Sequence, residues 1–75
     1  MTSDEFREVE ALLASSHADM ATQLGISEVS VKRYATDAQP VPVHVTRLMV
    51  ALLVLRQGRQ QARYAELLAR YHSDT

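Results

Sequence analysis

The sequence predicts an all-α fold, a single domain of five helices in 75 residues. Three observations carry this. Apolar residues recur at intervals of three and four, capping residues stand just ahead of them, and only two glycines and two prolines interrupt the chain. Alternating β-branched or aromatic runs, the mark of half-buried strands, are few.

Helix one opens on Thr2 and Glu5, which have the spacing of a capping box, and Phe6, Val9, Leu12 and Leu13 form its apolar stripe as far as Ser15–Ser16. Ser16, with Asp19 behind it, caps a short second helix through Met20, Ala21 and Leu24, which Gly25 ends. Ser27, with Ser30 at the third helical position, caps a third helix over Val31 and Tyr34 that weakens near Asp37. Ala38 to Pro42 is a connector, because Pro40 and Pro42 remove two backbone donors. A fourth helix starts at Pro42 or Val43 and is nearly all apolar to Leu55, broken by His44, Thr46 and Arg47. A helix apolar on most sides calls for cover from its own domain and from a second subunit. Gly58 marks a break, and Tyr64, Leu67, Leu68 and Tyr71 form the stripe of a fifth helix. The domain thus spans 1–75, with a helical hairpin at 16–37 and a core and dimerisation platform at 43–72.

Composition excludes several classes. A hydrophobic share of 47% is too high for a disordered tail. No run approaches the roughly 20 apolar residues of a membrane span. Asp4, Glu5, Glu8 and Glu10 are wrong for a signal or transit peptide, and the lack of cysteine fits a reducing compartment, so a cytoplasmic location is expected. Without disulfides or thiolate metal sites, a chain that buries only about 60% of its unfolded surface gains most from dimerising. The net charge of −1 conceals a polarity: residues 1–30 carry one Arg against six acids (1 − 6 = −5), and residues 31–75 carry seven Lys or Arg against three acids (7 − 3 = +4). A basic half can attract a polyanion whatever the total, although scattered arginines also serve as plain solvated faces.

The hairpin at 16–37 has the register of a DNA-reading helix-turn-helix. Ala21 is small where the helices cross, Gly25 forms the turn, Ile26 plugs the core, and Met20, Leu24, Val31 and Tyr34 face inward. Glu28, Val29, Lys32, Arg33 and Thr36 then point outward. An outward valine at a helix start has no stabilising role, whereas in a major groove it packs on a thymine methyl. Arg33 suits a bidentate pair with guanine, and Glu28 suits a cytosine amino group or, more plainly, the helix dipole. Ser27 and Ser30 complete the base-reading set. Phosphate contacts are expected from His17 at the start of the second helix, from Thr36, and from His44 and Thr46 in the first turn of the fourth. Each histidine is equally read as a solvated surface residue.

The span His17–Thr36 resembles the helix-turn-helix of the phage repressor and Cro-like superfamily. More narrowly, Gly25-Ile26-Ser27, Val31-Lys32-Arg33-Tyr34 and Gln39-Pro40-Val41-Pro42 before an apolar helix resemble the small anti-CRISPR-associated regulators. That resemblance implies a homodimeric repressor on inverted repeats in the promoter of its own anti-CRISPR operon, with Glu28, Val29, Ser30, Lys32 and Arg33 reading bases. It has no counterpart for the segment after Gly58.

Two apolar surfaces compete for the dimer interface, the fourth helix and the stripe Tyr64, Leu67, Leu68 and Tyr71; the C-terminal stripe is the expected one. An antitoxin that also holds a toxin, and a helical protein-interaction module without DNA binding, are the alternatives. An enzyme is not expected: paired carboxylates, a phosphate loop and a Ser/His/Asp arrangement are all missing, and His17, His44 and His72 lie 27 and 28 residues apart without a metal motif. Neither a cofactor nor a small-molecule effector is suggested.

Overall fold

The structure, a computed structural model, describes residues 1–58 and 60–72, excluding the side chains of Gln61 and His72. Within them the chain is all-helical: α1 is Ser3–Leu13, α2 His17–Leu24, α3 Glu28–Ala35, α4 Val43–Gln57 and α5 Gln61–His72. Arg59, one of the basic residues of the C-terminal half, and the side chain of His72 lie outside this description.

Local hydrogen bonds account for the helix ends. The Thr2 hydroxyl accepts from the Glu5 N–H at 3.1 Å, and the Glu5 carboxylate accepts from the Thr2 N–H at 2.8 Å. The bond from the Thr2 backbone, with that from its side chain, holds the Glu5 carboxyl below its ordinary range. Ser16 and Ser27 cap α2 and α3 by accepting from the N–H groups of Asp19 and Ser30. Gly25 closes α2 in the left-handed conformation at φ 70°, its N–H turned back to Ala21 and Thr22. A Cβ added there meets no atom within 4 Å, so Gly25→Ala carries only the backbone cost, about 1–2 kcal/mol. Urea unfolding measures it, and an unchanged midpoint rules out a left-handed turn. Asp37 also has positive φ, at 62°, while Ala38 and Gln39 both return their N–H groups to the Arg33 carbonyl.

The core lies where the first four helices converge. Phe6 and Leu13 of α1, Met20, Ala21 and Leu24 of α2, Val31, Tyr34 and Ala35 of α3, and Val45, Met49 and Leu52 of α4 are buried together. Helix α1 lies across both α3 and α4, and α2 packs on α3 and α4. Helix α5 packs on α4, with Tyr64 reaching the core.

The sequence reading of α1 needs one correction. Leu12 is exposed, and Glu10 takes a place on the buried face between Phe6 and Leu13. Steps of four and three residues keep 6, 10 and 13 on one side, whereas 12 falls off it. Glu10 tolerates burial because His17 Nδ1 lies 2.7 Å from its Oε2. Helix α4 buries Val45, Met49 and Leu52 and leaves Val43, Val50 and Val54 exposed within one chain.

Candidate nucleic-acid interface

Hydrogen bonds, the Glu10–His17 pair among them, hold α2 and α3 to α1 and to the loop that follows it. The Gln23 side chain donates to the Leu13 carbonyl at 2.7 Å, and the Ser15 N–H donates to Asp19 at 3.0 Å. Arg7 bridges the Ala35 carbonyl at the end of α3 and the Asp4 carboxylate. Such fixing limits how far the outer face of α3 moves against the core. The sequence offered no signal for Arg7 or Gln23, because their partners lie 28 and 10 residues away.

That outer face displays Glu28, Val29, Lys32, Arg33 and Thr36, all exposed, with Val31 and Tyr34 directed inward. Val29 is 55% exposed. Lys32 Nζ lies 3.5 Å from a Glu28 oxygen, an exposed pair one turn apart that is easily exchanged for another anion. Arg33 forms no ion pair among the described residues. Apolar Val29 thus shares one short helix with two cations, and Glu28 supplies the only carboxylate of α3. The Ser27 and Ser30 hydroxyls lie 2.9 Å apart, and that of Ser27 already accepts from the Ser30 N–H. These serines shape the helix start first, and are the least free members of the expected base-reading set.

The expected phosphate contacts divide. His44 is exposed in the first turn of α4, where Pro42 supplies no side-chain cap. Thr46, expected beside it, is turned elsewhere. Its hydroxyl oxygen is buried without a hydrogen-bond partner, in a cleft with Met1, Glu5, Glu8 and Val9 of the N-terminal segment. A phosphate cannot approach it there, because two carboxylates border the cleft. The Thr36 hydroxyl donates its proton to the Lys32 carbonyl at 2.8 Å, so donating to a phosphate requires breaking that bond. His17 is half-exposed, with Nδ1 engaged by Glu10 and Nε2 left for an outside partner.

The C-terminal stripe also divides. Tyr64 packs on the core and Leu67 is half-buried, whereas Leu68 and Tyr71 are exposed, with Arg70 over the Tyr71 ring. Between α5 and α2 lies a cavity of about 270 Å³, lined mainly by Leu13, Leu52, Leu55, Tyr64 and Leu68. The sequence reading expected no such pocket, since its walls come from four helices.

Among the described residues no group of three His, Asp or Glu side chains is placed to hold a metal, and no helix is long and apolar enough to cross a membrane. Compared with protein-family models, with curated proteins and with solved structures, the chain matches none.

Proposed function

We propose that this protein is a sequence-specific DNA-binding transcriptional repressor, acting as a homodimer on an inverted-repeat operator. The observation that carries the reading is the outer face of α3: Val29, Lys32 and Arg33 stand exposed on a short helix that a left-handed Gly25 turn joins to α2. In a major groove, Val29 packs on a thymine methyl, Arg33 bonds guanine, and Lys32 leaves Glu28 for a phosphate. His44 and the uncapped start of α4 supply a flanking phosphate contact. Two copies set their α3 helices about 34 Å apart, matching half-sites about 10 base pairs apart or a multiple of that. Repression is steric, because an occupied operator excludes polymerase. The resemblance to the anti-CRISPR-associated regulators makes the protein's own anti-CRISPR operon the site of control.

Titrating labelled DNA from the region upstream of the protein's own gene tests this. Binding is expected to weaken steeply with salt, by about 0.9 log units per log unit of salt for each phosphate neutralised. Failure to bind that DNA at low salt refutes the reading. A second reading, an antitoxin holding a toxin on α5, draws on the exposure of Leu68 and Tyr71. Stable co-purification with the product of an adjacent gene distinguishes it.

A further inference from the structure

We propose that the outer face of α4 docks a second copy of this chain, antiparallel, with Arg47 of each copy seated in the cleft that Glu5 and Glu8 border on the other. The inference rests on the homodimer in the proposed function and names its interface.

Helix α4 buries Val45, Met49 and Leu52. On its opposite side Val43, Arg47, Val50 and Val54 follow one another at steps of four, three and four residues. At about 100° per residue they fall within an arc of roughly 60°. All four are exposed, the valines at 70%, 50% and 60% in chain order. β-Branched residues do not favour a helix for its own sake, so three of them on a solvent face mark a surface that is covered.

Self-complementarity identifies what covers it. The order four, three, four reads the same from either end. A two-fold axis between positions 47 and 50 therefore sets Val43 against Val54 of the second copy and Arg47 against its Val50. Val50 lines the cleft shared with Glu5, Glu8, Val9 and Thr46, so the guanidinium arrives among carboxylates. Neither Glu8 nor Arg47 has an ion-pair partner among the described residues. The same face thus carries both the cation and its receptor, as an isologous interface requires. The C-terminal stripe lacks this property, and its Tyr64 already packs on the core.

Sedimentation equilibrium of the full chain without DNA tests the proposal. The wild type is expected at twice 8.4 kDa. Val50→Glu sets two carboxylates near the axis and is expected to weaken the dimer by about 100-fold or more, with helix content retained because Val50 is exposed. Arg47→Glu is expected to weaken it too, and Arg47→Glu combined with Glu8→Arg to restore it. Restoration in that pair decides the matter even if Val50→Glu fails to fold. A monomeric wild type, a Val50→Glu variant that stays dimeric, a charge exchange that restores nothing, or a dimer broken by Leu68→Glu with Tyr71→Glu each overturns it. A dimer that ignores DNA removes the repressor reading alone, and a DNA-binding dimer that Val50→Glu leaves intact removes the α4 interface alone.

Discussion

Phe6→Ala is expected to destabilise the fold by about 3–5 kcal/mol, the usual loss for an aromatic side chain removed from a core. Phe6 is fully buried and meets Tyr34 edge to face, with ring centroids 5.7 Å apart and planes at 67°. Among the described residues, Met20, Met49 and Val31 are the other large side chains buried as completely. One residue on α1 therefore supports α3 from behind, and its loss opens a void at the junction of four helices. A domain of this size has a total stability of roughly 4–11 kcal/mol, taking about 0.05–0.15 kcal/mol per residue. At the lower end of that range the variant sits near its unfolding midpoint at room temperature, and at the upper end it stays folded with its stability roughly halved. Urea unfolding followed by circular dichroism measures the loss, and one below about 1 kcal/mol contradicts this packing. A Tyr34→Ala cycle with Phe6→Ala isolates the ring contact, expected at about 0.5–1.5 kcal/mol.

Arg33→Ala is expected to leave the fold intact and to weaken operator binding by about 1–3 kcal/mol, or roughly 5- to 150-fold. The two effects separate because the Arg33 side chain is exposed and joins no ion pair among the described residues. Comparison of operator with unrelated DNA determines its role. A base contact makes the loss specific to the operator, whereas a phosphate contact weakens both DNAs alike and lowers the salt slope by about one. Wild-type affinity in Arg33→Ala removes Arg33 from the interface.

Several site residues were legible because their placement is local. Ser16, Gly25 and Ser27 set the ends of α2 and α3 within one turn, and the inward spacing of Val31 and Tyr34 then directs Val29, Lys32 and Arg33 outward. Thr36 and Thr46 were harder. Each hydroxyl sits at a helical position open to a ligand in sequence terms, but one donates to Lys32 and the other faces α1. Nothing in the order of residues reveals which side of α4 lies under α1.

The sequence by itself determined the five helices, their caps and breaks, and the outward face of α3, since these follow from backbone hydrogen bonds and dihedral preferences over a few residues. Tertiary structure alone decided that Glu10 is buried beside His17 and Leu12 is exposed, that Arg7 reaches α3, and that Val43, Val50 and Val54 stay exposed within one chain. Burial depends on neighbours distant along the chain. A helix apolar on most sides, such as α4, carries too weak a periodicity to say which side they take.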